Sequence, residues 1–169
     1  KLAGHPLYYS PADATAKQEL DDHWTRMTGR PAEPLPMSLE VLGRHVHVPM
    51  AARGIARFGF DDLCARPLGP RDYLHVAHAF HTVLIDGIPV LGPAKRNEAR
   101  RFINLIDALY DNKVGLIASA DNEPDMLYVA GDGVELFQRT ASRLIEMRST
   151  EYLESRTDRT GGLDPLART

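Results

Sequence analysis

The chain predicts an α/β fold: a small mixed sheet, a β-hairpin plus a parallel βαβ unit, flanked by helices and preceded by an N-terminal helical arm. Three observations carry that prediction. Residues 82–86, Thr-Val-Leu-Ile-Asp, form an apolar run without alternation, the habit of a strand buried on both faces of a helix-covered parallel sheet. Residues 97–112 read as an amphipathic helix, with Ala99, Phe102, Ile103, Ile106, Leu109 and Tyr110 on one stripe and Arg100, Asn104, Asp107 and Asp111 off it. Residues 114–120, Val-Gly-Leu-Ile-Ala-Ser-Ala, then return as a second buried strand. Strand, helix and strand in that order make a βαβ unit, whose crossover is right-handed.

The remaining elements follow from local signals. Residues 11–29 are helical: Pro11 suits a first turn, Leu20, Trp24 and Met27 recur at helical spacing, and Gly29 ends the run. Residues 29–36 carry three prolines and read as a linker, so the helix before them is an arm packed on the domain rather than part of its sheet. Residues 44–50 alternate polar with apolar, and residues 54–60 place Ala56, Phe58 and Phe60 on one face. The short Ala-Ala-Arg-Gly between them predicts a hairpin. Asp61 or Asp62 caps a helical turn around Leu63 and Cys64, and residues 69–80 continue helically after Gly69-Pro70. A Pro-initiated turn, a Gly-Asp-Gly loop and a short strand at Val134–Phe137 precede a last helix over 139–156, with Ala141, Leu144, Ile145 and Tyr152 facing inward. The domain reading is an arm and linker over 1–36, an α/β domain over 37–155 and a disordered tail over 156–169.

Bulk properties narrow the functions. A hydrophobic content of 43% with 25% charged residues belongs to a globular chain, and 169 residues suit one domain. A net charge of −3 argues against a generalised nucleic-acid or anionic-membrane surface. The single cysteine, Cys64, excludes an internal disulfide and suits a reducing compartment. No apolar stretch approaches the ~20 residues that span a bilayer. A chain opening at Lys1 without an initiator methionine is expected to be a piece of a longer protein.

Asp86 raises the central question, because an apolar strand ending in an acid is how the metal-holding strand of a P-loop ATPase ends. Such a strand serves only beside a phosphate loop, and nothing in the chain matches G-x-x-x-x-G-K-[ST]. The nearest imitation, Pro-Leu-Gly-Pro-Arg-Asp at 67–72, lacks both the lysine and the hydroxyl. Gly87 stands where a catalytic glutamate would follow Asp86. The chain by itself should not hydrolyse ATP and carries no catalytic residue of its own; capping or turn formation is the alternative role of Asp86.

The blocks around Phe-Asp-Asp-Leu-Cys (60–64), Asp-Tyr-Leu-His-Val-Ala-His-Ala-Phe-His-Thr-Val-Leu (72–84), Arg-Arg-Phe-Ile-Asn-Leu-Ile-Asp-Ala-Leu-Tyr-Asp (100–111) and Phe-Gln-Arg-Thr-Ala-Ser-Arg-Leu-Ile-Glu-Met (137–147) resemble the C-terminal part of the ZapE/AFG-like ATPases, a family of bacterial cell-division ATPases with mitochondrial relatives. The resemblance runs from near Lys1 to near Leu153. It implies that the phosphate loop, the Mg²⁺-holding acid and the polar sensor lie upstream, so the strand at 82–86 is scaffold in an appended domain. It implies ATP and Mg²⁺ for the full-length protein and none held by this piece. It further implies partners in an N-terminal ATPase core, a homo-oligomer and division-site proteins, with a cytoplasmic location peripheral to the division site.

Within that frame Arg100 and Arg101 are the nucleotide-sensing candidates. A guanidinium approaches a γ-phosphate bidentately, from its own subunit or a neighbour, and both stand off the apolar stripe. The alternative is an ion pair such as Glu98 with Arg101. Arg139 and Arg143, at the start of the last helix, oppose its dipole and call for an acid: Asp121, Glu135, or a partner's phosphate or carboxylate. Tyr8 and Tyr9 are expected to pack on the upstream core. His75, His78 and His81 drift around a helix and suit its surface better than a zinc site. Two other functions compete with the domain reading: a metal-dependent hydrolase using Asp86, Asp121 and the histidines, and a stand-alone protein-interaction module.

Overall fold

The computed structural model describes residues 6–156. The chain enters on β1 (Tyr8–Tyr9) and turns into α1 (Ala14–Thr28). Asp13 caps that helix, its side chain accepting the Ala16 N–H at 2.9 Å, and Gly29 closes it at φ +72°, a conformation that favours a residue without Cβ. Two hairpins follow: β2 (Met37–Val41) with β3 (Arg44–Val48), then β4 (Met50–Ala52) with β5 (Ile55–Gly59). The chain continues through α2 (Phe60–Cys64), α3 (Pro70–Ala79), β6 (Thr82–Ile88), α4 (Arg96–Asp111), β7 (Gly115–Ala120), α5 (Val134–Glu146) and α6 (Thr150–Glu154).

The fold is the α/β class the sequence predicts. The main sheet runs β1-β7-β6-β5-β4, parallel except for β4. The expected βαβ unit is β6, α4 and β7, with Val83 beside Leu116 and Ile85 beside Ala118. The passage from β5 through α2 and α3 to β6, and then through α4 to β7, steps twice in one direction. The passage from β1 to β5 steps back. Right-handed connections therefore put α1 on the opposite face from α2, α3 and α4. Residues alternate accordingly: Leu84 and Asp86 of β6 share the α1 face, Val83 and Ile85 the other. Leu20 and Trp24 of α1 and Phe102, Leu105, Ile106 and Leu109 of α4 are completely buried. α5 packs on α4 outside that layer.

Several elements depart from the sequence expectations. The strand over 44–48 does not pair with 54–60. It turns back on Met37–Val41 through Leu42 and Gly43, both with positive φ (49° and 80°), and Pro49 separates it from β4. β4 reaches β5 through Arg53 and Gly54, again both positive (54° and 76°). Two-residue loops of this kind match the strand twist, which is why each hairpin closes on its nearest neighbour. Val134–Phe137 is the first turn of α5 rather than a strand, because Val134, Phe137, Ala141 and Leu144 continue one helical face. The last helix breaks after Glu146, where Ser149 caps α6, and Ile145 is exposed. Tyr8 and Tyr9 join the sheet itself, beside Ala118 and Ser119, and the Tyr8 hydroxyl donates to the Asn122 carbonyl at 2.6 Å.

Arg156, at the head of the segment expected to be a tail, is fully buried and donates to the carbonyls of Lys113 and His81, each at 2.7 Å. Residues 157–169, the rest of that segment, lie outside the described residues.

Candidate functional site

Two of the cavities among the described residues bring arginine and aspartate side chains together. They stand on opposite sides of the sheet.

The first, about 650 Å³, lies under the amino end of α1, against the carboxyl ends of β6 and β7. Its floor is an ion network. β5 carries Arg57 and β6 carries Asp86 on the α1 face, two residues beyond the position opposite Arg57. The Arg57 guanidinium grips both oxygens of Asp86, Nε to Oδ2 at 2.7 Å and Nη2 to Oδ1 at 2.9 Å, and its Nη1 reaches Asp21 of α1 at 2.7 Å. Only 6% of the Arg57 side chain is exposed. Burial works against its charge, but hydrogen bonds and attraction from Asp86 and Asp21 more than offset that, holding it above the ordinary arginine range. This is what Asp86 does: it anchors a buried arginine and ties the sheet to α1.

The surroundings of Asp86 differ from those of an acid in a Mg²⁺–phosphate seat. Both Asp86 oxygens accept hydrogen bonds from Arg57. Around the β1–α1 loop, where a phosphate loop would need converging N–H donors, Pro11 has none. The Asp13 N–H is bound to the Pro11 carbonyl, that of Ala16 to the Asp13 side chain and that of Lys17 to the Asp13 carbonyl. Among the described residues, no three His, Cys, Asp or Glu side chains group as a metal ion requires. His78 and His81 engage Asn112, Thr82 and the Arg53 carbonyl instead.

The second cavity, about 580 Å³, opens between the amino ends of α4 and α5. Arg96, Asn97, Arg100 and Asn104 come from α4, and Asp132, Gly133 and Leu136 from the α5 side. Arg100 is exposed and has no carboxylate partner among the described residues, while Arg96 lies 3.4 Å from the highly exposed Asp132. Two helix amino ends add partial positive charge to the two guanidinium groups, so an anion is the species this cleft favours.

The two arginines that look equivalent in sequence are separated by one step of α4. Arg100 faces that cleft, whereas Arg101 turns toward α2 and donates to the Cys64 carbonyl at 2.9 Å. Glu98 is not its partner. Cys64 is buried, and burial pushes its thiol up, out of reach of a thiolate role. Arg139 and Arg143 both find their acid in Asp107 of α4, rather than in Asp121 or Glu135. Arg143 also lies over the Tyr110 ring at 4.6 Å, a cation–π contact that clamps α5 to α4. Arg57, bound by two aspartates, escapes a sequence reading because the one signal for its burial is a charge inside an otherwise apolar strand.

No helix among the described residues is long and apolar enough to cross a membrane. The family model for AFG1-like ATPase matches residues 1–156. Cell division protein ZapE of Escherichia coli K12 is 35% identical over 88% of the chain, and Lactation elevated protein 1 homolog B of Danio rerio is 31% identical over 90% of it. The chain spans 39% and 37% of the lengths of these two relatives, respectively. No solved structure matches it. Matched almost from end to end and similar to relatives in both a bacterium and a vertebrate, the chain belongs to the AFG1-like ATPase family.

Proposed function

We propose that the chain is the C-terminal α/β domain of a longer ATPase, that it supports ATP hydrolysis performed elsewhere in that protein, and that it contributes to oligomer assembly and to partner binding in cell division. The observation that carries the nucleotide part is Arg100. It is exposed in a cleft with Arg96 at two helix amino ends, and no carboxylate among the described residues neutralises it. The setting of the cavity under α1 supports the same division of labour, since Asp86, the acid at the end of β6, is held by Arg57. The cell-division assignment follows the bacterial relative, whose name is cell division protein ZapE; a cytoplasmic place at the division site is part of the same proposal.

In the full-length protein, Arg100→Ala should lower ATP turnover far more than nucleotide affinity. A guanidinium that meets charge developing during phosphoryl transfer is worth ~10³-fold in favourable systems. Arg101→Ala should instead lower stability with little effect on turnover, because Arg101 serves the Cys64 carbonyl. Mixing Arg100→Ala subunits with subunits disabled in the phosphate loop tests the geometry: recovered turnover places Arg100 across a subunit interface. Turnover unchanged by Arg100→Ala would remove nucleotide sensing from this domain.

A further inference from the structure

The cavity under α1 lies between a strand–loop–helix turn and an acid two strands away in the same sheet, a setting that resembles a phosphate seat, yet its chemistry is inverted. Asp13, Asp21, Glu33 and Asp86 line it against Lys17 and Arg57, so four carboxylates face two cations. A seat for an anion has the opposite balance. Its upper walls are apolar, with Ala12, Ala32, Pro34 and Pro49 among them. At about 650 Å³ it has the size of a small-ligand site, and it lies at the carboxyl ends of parallel strands, where α/β sheets bind ligands.

The acceptors are not all engaged. Glu33 is exposed and has no ion-pair partner among the described residues. Asp21 gives one oxygen to Arg57 and meets the exposed Lys17 on the other at 3.4 Å. Arg57 is 5% exposed, and three of its five N–H donors are bound, all to the two aspartates. A ligand completing this site brings a cation for the carboxylates, an apolar stem for the walls and a neutral acceptor for the remaining Arg57 donors. A basic residue within a peptide has all three, its carbonyl being the acceptor.

We propose that the cavity under α1 receives a lysine or arginine side chain presented on a peptide segment of a protein partner. The site is independent of Arg100 and of the nucleotide reading, since it lies on the other face of the sheet.

Amide NMR of the 169-residue chain tests it, with N-acetyl-arginine-methylamide, agmatine and inorganic pyrophosphate as probes. The arginine derivative should shift the Gly87 and Ala14 amides saturably, and agmatine, which lacks the carbonyl, more weakly. Pyrophosphate should leave those amides unmoved. Glu33→Gln removes one charge-assisted acceptor at an exposed position and should weaken binding about tenfold. Lys17→Ala removes the competing cation at Asp21 and should tighten it, a sign that loss of structure would not produce. Saturable pyrophosphate binding at Gly87, no saturable binding of the arginine derivative, or an affinity unmoved by both substitutions would overturn the proposal. Agmatine binding as tightly as the derivative would overturn the peptide assignment.

Discussion

The cavity under α1 and the cleft between α4 and α5 are built from the same materials, arginine and aspartate at the ends of sheet and helix, and reach opposite outcomes. Under α1, Arg57 is buried and bound by Asp21 and Asp86, so its charge is used to hold the molecule together. Between α4 and α5, Arg96 and Arg100 stand in solvent, with only the exposed Asp132 nearby. Burial decides the difference. A guanidinium removed from water must be paired, and most of its donors are then committed to that pairing. An exposed one keeps its charge available and contributes almost nothing to stability.

Experiments that break or sharpen this contrast differ in expected size. Ile106→Asp should abolish both cavities at once, because Ile106 is completely buried on α4. An unpaired charge there costs several kcal/mol against a total stability of about 5–15 kcal/mol. A cooperative melt at an unchanged midpoint would refute the placement of α4. Arg57→Ala should come next. Removing one partner of a buried pair costs about 3–5 kcal/mol, and the partial exposure of Asp21 (20%) and Asp86 (29%) points to the lower end. Urea denaturation measures it, and a loss below about 1 kcal/mol would mean that the network is not a structural tie.

Arg143→Ala and Arg139→Ala sharpen the contrast within one helix. Arg143 is 22% exposed and stacks on Tyr110, so its loss should cost about 1 kcal/mol. Arg139 is 55% exposed on the same acid and should cost less than about 0.5 kcal/mol. Equal losses would show that exposure does not set their contribution. Arg100→Ala should change stability by no more than about 0.5 kcal/mol, whatever it does to turnover.

A different kind of effect is expected at alkaline pH. Burial, then the charge of Glu19, pushes Tyr9 from 10.0 up to about 12. The unfolded chain therefore loses this proton first as pH rises. Its contribution to stability is fully present below pH 10 and declines between 10 and about 12. Ultraviolet titration of the phenols should show ionisation delayed beyond that of a free tyrosine. A normal titration of all of them would contradict the packing of β1 on the sheet.

Much of the fold was legible because it rests on patterns that survive in one dimension. The buried runs at 82–86 and 114–120 and the apolar stripe of α4 are periodic signals, and α1 is bounded by Asp13 and Gly29 as capping chemistry requires. The hairpin register was harder to read. Whether residues 44–48 pair forward or backward depends on the turn at Leu42-Gly43, and a leucine at φ 49° is not a conformation its side chain advertises. The break between α5 and α6 was hidden for a related reason: helical spacing continues through it while Ser149 starts a new helix.

Sequence alone determined the family, the βαβ centre and the lack of a phosphate loop, since each is written in contiguous residues. The tertiary structure decided which charges are available. Arg100 and Arg101 are neighbours with the same chemistry, but one step of 100° on a helix sends one to a solvent cleft and the other to the Cys64 carbonyl. Asp86 could be read as a ligand until Arg57, 29 residues earlier, was found on both its oxygens. The pairing of distant charges depends on which strands lie side by side, and sheet order is set by the packing of the whole chain.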